Sequence, residues 1–325
     1  MPSSHVLVTG GAGFIGSHTV DRLRADGHRV TVLDDLSTGQ RLNLAAHLGH
    51  PDFALVVADV AAPLASPLAD AVARLGPIER VVHLAAQVSV VRSLADPAED
   101  LRVNVGGTLQ VLEYARAHGV RSLVFASSAA VYGDVDALPV SESAPTSPLS
   151  PYGVHKLASE LHLRAYGATY GLATAPLRFF NVFGPRQDPQ SPYSGVISIF
   201  LARALAGAPL LVHGDGAQTR DLVFVGDVVE HIVRALFRDD LRGAPINVGT
   251  GREVSVRALA ELAVRFANSN SAITHGPPRL GDIARSCADV ARARAWLAVP
   301  DPTGIDLGLA RTARWFAEDR AAKLA

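Results

Sequence analysis

Short apolar runs alternate with longer amphipathic stretches along the first half of the chain, and the alternation predicts strands separated by helices up to about residue 179. Residues 5–9 (His-Val-Leu-Val-Thr) form the first run and lead straight into Gly10-Gly-Ala-Gly13-Phe14-Ile15-Gly16. A helical pattern follows and stops at Asp26-Gly27. Further runs at 29–33, 53–57, 80–85, 122–126 and 173–179 read as strands. A helix is predicted over about 96–118, stopped by Gly119, and another carries Tyr152 and Lys156 after the Ser- and Pro-rich loop 139–151. Strands separated by helices imply a parallel sheet that binds ligands at the carboxyl ends of its strands. The fold class is therefore α/β, a Rossmann-type doubly wound sheet. Beyond Phe179 the elements shorten and Pro and Gly become frequent, which predicts a smaller α/β substrate domain over 180–325 beside a dinucleotide-binding domain over 1–179. The segment 220–251, ending in Pro245-Ile-Asn-Val-Gly-Thr-Gly251, is expected to return to the main sheet. No internal repeat or low-complexity tract interrupts this pattern.

The first strand, glycine turn, helix and second strand end at Asp34-Asp35, which is the layout of a dinucleotide-binding unit. Small residues let the backbone approach a pyrophosphate, and the helix N-terminus turns N–H groups and a positive dipole toward it. The glycines are spaced G-x-x-G-x-x-G rather than G-x-G-x-x-G, and Asp34 follows Gly16 at a distance suited to a ribose-binding acid. An acid there repels a 2′-phosphate and favours NAD over NADP; Arg41 nearby leans the other way. The third strand ends at Asp59-Val60 and the fourth at Ala86-Gln87, on the same edge.

The fifth strand delivers Ser127 and Ser128 to that edge. Tyr152 and Lys156 are four apart, so on a helix they share one face. An ammonium close to a phenol favours the phenolate, and the expectation is a tyrosine pKa below its ordinary value of about 10. Such a tyrosine can act as general base, with a serine hydroxyl to hold the proton. Ser128 opens the Ser-x-x-Val-Tyr-Gly pattern and is preferred to Ser127; Tyr132 reads as packing and His83 as a satisfied core histidine. Arg220 and Arg279 are candidates for a diphosphate, because a guanidinium fork matches a phosphate; the competing reading pairs them with Asp221 and Asp282 in surface salt bridges.

Composition narrows the function classes. The chain has 325 residues, 48% hydrophobic and 19% charged, enough for a large core. A net charge of −1 and a pI near 6.9 supply no global field for nucleic acid or an anionic membrane. The single Cys287 rules out an internal disulfide and a cysteine-built zinc site, and the twelve histidines lack metal-ligand spacing. No signal peptide is read at the N-terminus, and the apolar stretch 196–212 is broken by Arg203 and Pro209. The expectation is a soluble cytoplasmic protein with no metal.

Taken jointly, Thr9-Gly-Gly-Ala-Gly-Phe-Ile-Gly-Ser17, Leu84-Ala-Ala86, Asn104 in Val-Asn-Val-Gly-Gly-Thr, Ser128-Ala-Ala-Val-Tyr-Gly133, Tyr152 with Lys156, Phe180-Asn181, Gly214-Asp-Gly-Ala-Gln-Thr-Arg-Asp221 and Pro278-Arg279-Leu-Gly-Asp282 span nearly the whole chain. In these motifs the chain resembles the extended short-chain dehydrogenase/reductases that modify nucleotide sugars, and most of all the UDP-glucose 4-epimerases. The resemblance implies a tightly held NAD, removal of hydride from C4 of a UDP-hexose to give a 4-keto sugar, and return of hydride to the other face. Tyr152 would take and return the O4 proton, Lys156 would hold the cofactor ribose and the phenolate, and Ser128 would hydrogen-bond O4. It implies cofactor contacts from Gly10, Gly13, Phe14, Ile15, Gly16, Asp34, Asp35, Asp59, Val60, Leu84, Ala85, Ala86, Asn104, Tyr152, Lys156 and Phe179. It implies substrate contacts from Ser128, Asn181, Val196, His213, Arg220, Arg279, Asp282 and Ser286, with His213 beside the uracil ring. A homodimer through the helix 96–118 and the Tyr152 helix is also implied.

Related dehydratases carry Asp-Glu after the catalytic hydroxyl residue. Here those positions are Ala129 and Ala130, which can neither donate nor accept a proton, so elimination is disfavoured and C4 inversion favoured. Ser286 falls where relatives restricted to plain hexoses carry a tyrosine, so the resemblance implies room for 2-N-acetyl sugars. UDP-glucuronate and other nucleotide sugars stay open as substrates, and a non-catalytic NAD-sensing module is the alternative of another class.

Overall fold

The structure, a computed structural model, describes residues 3–135, 137–189, 195–278 and 283–324. Its elements run β1 (His5–Thr9), α1 (Phe14–Ala25), β2 (Arg29–Asp34), β3 (Phe53–Val57), α2 (Ala65–Leu75), β4 (Arg80–His83), α3 (Val90–Ala95), α4 (Pro97–Leu101), a π-helical turn (Arg102–Gly106) and α5 (Gly107–Ala117). They continue with β5 (Ser122–Ser128), α6 (Pro151–Tyr170), β6 (Ala173–Phe179), β7 (Asn181–Phe183), α7 (Val196–Leu205), β8 (Leu210–His213), β9 (Thr219–Phe224) and α8 (Val225–Leu236). The last are β10 (Ile246–Val248), β11 (Glu253–Ser255), α9 (Val256–Phe266), β12 (Ile273–Gly276), α10 (Ala291–Leu297) and α11 (Ile305–Leu324).

Seven strands form one parallel sheet in the order β10-β6-β5-β4-β1-β2-β3. Val6, Leu7 and Val8 are all fully buried, so helices cover both faces and the strand reads as a continuous apolar run rather than an alternating one. One core cluster joins Val8, Val32 and Val124 to Val228 and Ile232 of α8, and another joins Leu7, Val81 and Phe125 to Leu112 of α5 and Leu163 of α6. The reversal of strand order between β1 and β4 opens a crevice at the carboxyl edge of the sheet. β10 joins β6 with Ile246 opposite Leu177, so the chain comes back to the main sheet after β9. A separate apolar cluster, with Phe183, Phe200, Leu201, Phe224, Leu259 and Phe316, lies beside two small sheets, β11-β9-β7 and β12-β8.

Two expected boundaries shift. The fourth strand stops at His83, and Leu84–Ala86 is loop. The helix expected over 96–118 is divided: Asp96 caps α4 by accepting from Glu99 N at 3.0 Å with Pro97 at the first helical position, and the π-helical turn separates α4 from α5. A short helix, α3, precedes them, capped by Ser89 accepting from Arg92 N at 2.8 Å. α6 starts by the same chemistry: Ser150 accepts from Gly153 N at 3.2 Å, Pro151 sets the first turn, and Gly171 closes the helix at φ +71°. No described helix is long and apolar enough to cross a membrane.

Candidate active site

The glycine turn is shaped by close approach. Gly10, at φ +70°, would bring a Cβ within 2.6 Å of Ala85 N, and a Cβ on Gly16 would lie 2.1 Å from Gly10 O. α1 begins at Gly13 without a side-chain cap, which leaves first-turn N–H groups for an anion. Phe14 and Ile15 fill the first turn and pack on the separate apolar cluster of Phe183 and Phe224. Asp34 ends β2 almost wholly buried, accepting from Ala12 N and Leu36 N at 2.9 Å each. Burial and the neighbouring Asp35 push its carboxyl pKa up, against those two N–H bonds. Asp35 is exposed and held by Ser37 N at 2.9 Å. Asp59 accepts from Ala61 N at 2.8 Å and from Arg102 at 2.7 Å, and Val60 beside it is buried. The backbone cradle, with a carboxylate at the end of β2 and another after β3, has the N–H groups and acceptors that suit an adenine dinucleotide.

β5 is paired with β6 so that Ser128 lies opposite Phe179, at the carboxyl edge. The chain then turns through Ala129–Val131, and Gly153 accepts the approach of that turn: a Cβ there would meet Ala130 O at 2.8 Å. This contact seats α6 against the end of β5. Ser128 Oγ accepts from Ala130 N at 3.1 Å, and its hydroxyl favours the ionised form of the Tyr152 phenol. Lys156 is buried, donates to Ala126 O at 2.8 Å, and its Nζ lies 5.8 Å from the Tyr152 ring centroid and 4.7 Å from that of Phe125. Burial holds its amine down to about 8, with Asp100 and Glu160 opposing.

One electrostatic expectation is corrected. The Tyr152 pKa is not lowered in the protein alone: burial pushes the phenol up to about 12, the Ser128 hydrogen bond works against this, and the Asp100 charge adds to it. The Lys156 amine, held down to about 8 by burial, has lost its charge at the pH where such a phenol ionises.

The other candidates sort by their bonds. Ser127 donates to Glu160, which is clamped by Arg178 through hydrogen bonds of 2.9 and 2.6 Å, so Ser127 is structural. Tyr132 is buried, donates to Asn247 at 2.6 Å and packs under Arg178. His83 bonds Thr9 at 2.7 Å and Thr108 at 3.2 Å; burial holds it down to about 3, a neutral core histidine. Asn104, expected at the cofactor, donates through Nδ2 to Gln87 O at 2.9 Å and Asp100 at 3.1 Å and accepts from Gln87 N at 3.0 Å. Its side chain therefore shapes the loop after β4, and has no donor left for a cofactor.

Asn181 opens β7 two residues after Phe179 and is exposed; opposite it in β9 stands Leu222, two residues beyond Arg220. Arg220 donates to Thr219 O at 2.7 Å and Ile283 O at 2.6 Å. Its neighbour Asp221 is buried and gathers Thr250 N, Gly251 N and Ala288 N at 2.7 to 2.9 Å, tying β9, the turn after β10 and the Ser286-Cys287 segment together. This buried knot, and not a surface salt bridge, is the role of Asp221, and the residue types alone did not reveal it. His213 is half-buried with Nδ1 3.2 Å from Pro277 O, Ser286 is half-buried beside buried Cys287, and Val196 begins α7. Arg279 and Asp282 lie outside the described residues. Among the described residues no group of three His, Cys, Asp or Glu side chains is placed to hold a metal.

Comparison with known proteins agrees with this geometry. The model of the NAD dependent epimerase/dehydratase family matches residues 6–249. A UDP-glucose 4-epimerase of Mycolicibacterium smegmatis is 44% identical over 317 residues, covering 95% of this chain and 97% of its own. The crystal structure of the Thermus thermophilus UDP-glucose 4-epimerase complex with NAD superposes with a TM-score of 0.86 at 39% identity, covering 96% of this chain and 99% of that one. A UDP-N-acetylglucosamine 4-epimerase from Methanobrevibacter ruminantium, in complex with UDP-N-acetylmuramic acid, gives a TM-score of 0.90 at 34% identity, with 98% and 100% covered. The chain belongs to the NAD dependent epimerase/dehydratase family.

Proposed function

We propose that this protein is an NAD-dependent UDP-sugar 4-epimerase. The observation that carries the reading is the meeting of Ser128, Tyr152 and Lys156 at the sheet edge beside the Gly10–Gly16 cradle, with only Ala129 and Ala130 where an eliminating enzyme needs acids. Asp34, buried and already accepting from two N–H groups, places negative charge where a 2′-phosphate would sit, which supports NAD rather than NADP. NAD, when bound, supplies the hydride acceptor and donor for C4 of the sugar and brings a positively charged ring to the edge that Tyr152 occupies.

The protein's own groups do the rest. Tyr152 takes the proton from O4 and gives it back, and Ser128 holds O4 and the phenol in one hydrogen-bonded line. Lys156 keeps one N–H on Ala126 O, and its remaining donors would hold the cofactor ribose while its charge would favour the phenolate. Burial holds Tyr152 at about 12, so the phenol would need the positive charge that a bound cofactor ring would supply in order to act as a base, which suits a redox-neutral reaction with retained NAD. Arg220, with Asn181, is assigned to the nucleotide diphosphate and His213 to the uracil face; Arg279 and Asp282 are assigned by motif alone.

Ser286 is small where relatives restricted to plain hexoses carry a tyrosine, and on that resemblance both UDP-Glc/UDP-Gal and UDP-GlcNAc/UDP-GalNAc are proposed as substrate pairs. We read the chain as a cofactor domain over 1–179, with α8 and β10 returning to it, and a sugar-nucleotide domain over 180–325, working in the cytoplasm. A homodimer is supported by exposed Val154 and Leu161 on one face of α6, with exposed Val91, Leu94 and Leu101 on the packed helices α3 and α4. The test is a panel of UDP-hexoses, N-acetylhexosamines and uronates assayed for C4 inversion without added NAD. Inversion that survives Tyr152→Phe at the wild-type rate refutes the mechanism. N-acetyl activity unchanged relative to hexose activity in Ser286→Tyr refutes the specificity.

A further inference from the structure

Asp100, at the end region of α4, is a buried carboxylate placed against the helix that carries the catalytic pair. Gln87 Nε2 donates to its Oδ1 at 2.5 Å, Asn104 Nδ2 to the same oxygen at 3.1 Å, and His155 Nδ1 to Oδ2 at 2.5 Å. Three converging side-chain donors are what an acceptor-only carboxylate requires in a buried setting. His155 stands between Tyr152 and Lys156 on α6, so the acid is fastened to the turn of helix that bears both. Among the described residues its only ion-pair partner is that imidazole, and no arginine or lysine bonds it.

We propose that Asp100, oriented by His155, is a positioning residue whose buried negative charge sets the pH window in which Tyr152 and Lys156 work. The inference rests on the assignment of those two residues as the catalytic pair. A negative charge makes the ammonium harder to deprotonate and the phenol harder to ionise, and Asp100 acts in that sense on both. Other charged groups do not share this role. Glu160 faces Lys156 but is clamped by Arg178, and His83 on β4 stays neutral. On α3 Arg92 is exposed, and at the start of α4 Asp96 is spent as a cap. Glu99 pairs outward with Arg102, which also holds Asp59. Asp100 is the one carboxylate felt by both members of the pair and left unmatched by an arginine.

The sequence offers a direct probe. The chain contains only two lysines, Lys156 and Lys323, so protein made with lysine labelled with carbon-13 at Cε gives two resolvable titrations, and Lys323→Arg identifies them. The expected result is a Lys156 midpoint that moves to lower pH in Asp100→Asn, with Lys323 unmoved. His155→Arg sets a permanent cation against Asp100 without adding a lysine and is expected to move the midpoint the same way, which keeps the test open if Asp100→Asn fails to fold. In turnover, both limbs of the kcat/KM profile move to lower pH together, whichever group owns which limb, and the ratio of rates at about pH 6 and about pH 9 rises several-fold. A folded variant with an unmoved Lys156 midpoint, or a rate loss with both limbs in place, overturns the proposal. Absence of C4 inversion in the wild type would instead sink the epimerase reading and leave the lysine titration to decide the role of Asp100.

Discussion

Replacing Gly10 by alanine tests whether the cradle is set by steric approach, because a second glycine provides the matched control. Gly10 and Gly27 both hold positive φ, +70° and +82°, so each alanine carries the left-handed backbone penalty of about 1–2 kcal/mol. Around Gly27 nothing lies within 4 Å of the new Cβ, and the penalty is the whole effect. At Gly10 the new atom would meet Ala85 N at 2.6 Å, and Ala85 Cα and Leu84 C at 2.9 Å, all backbone. That backbone cannot retreat freely, since Leu84 N donates to Thr9 O at 3.1 Å and Gly10 N to Leu33 O at 2.8 Å, pinning both sides to the sheet. Forcing such a contact costs a further ~1–3 kcal/mol. Gly10→Ala is therefore expected to be less stable than Gly27→Ala by that further amount, read from urea unfolding midpoints of the two variants. The same displacement moves the turn that carries the phosphate-facing N–H groups. Gly10→Ala should then purify with less bound NAD, about tenfold weaker for each ~1.4 kcal/mol lost at the pyrophosphate, whereas Gly27→Ala retains it. Equal midpoints and equal NAD content in the two variants would refute the reasoning.

Two further outcomes follow from burial and exposure. Lys156 ionises at about 8 in the fold against an ordinary 10.5, so between those values the unfolded chain binds the proton and the folded one does not. Wild-type stability should rise with pH across that window, by on the order of 3 kcal/mol, and Lys156→Met should lose the slope; a variant that keeps it assigns the titration elsewhere. Leu161 is exposed on the α6 face assigned to the partner, so Leu161→Glu should convert a two-chain native mass into a one-chain mass by light scattering. An unchanged mass places the interface on another surface.

The parts of the molecule that could be read from the chain are those where one short stretch determines its own structure. The glycine turn is one: Gly10, Gly13 and Gly16 are spaced so that only their missing side chains let a strand, a turn and a helix meet. The apolar runs are another, because strands buried on both faces leave an unbroken signature, as Val6 to Val8 do. The edge of the sheet follows from these two, and with it the meeting of Ser128 and Tyr152. Boundaries were less legible where local capping decides them. Asp96-Pro97 begins a helix inside what periodicity alone reads as one continuous element, and the π-helical turn after Leu101 has no compositional mark. Asp221 looked like a surface partner for Arg220 because its backbone donors, Thr250, Gly251 and Ala288, come from segments far along the chain.

The ionisation of the site is the least legible property, and Tyr152 explains why. The spacing of Tyr152 and Lys156 names the two groups, and proximity alone argues for a lowered phenol pKa. Ionisation depends on every charge and every layer of protein around the pair, and burial, which the motif does not encode, pushes the phenol up to about 12 and the amine down to about 8. The charge that acts on both, Asp100, is fifty-five residues before the histidine that holds it. It reaches them through His155, with Asn104 in the π-helical turn bonding both the acid and the loop after β4. Two proteins with the same Ser, Tyr and Lys could therefore work at different pH, and the residue that distinguishes them would lie outside the motif, on a helix that the motif merely packs against.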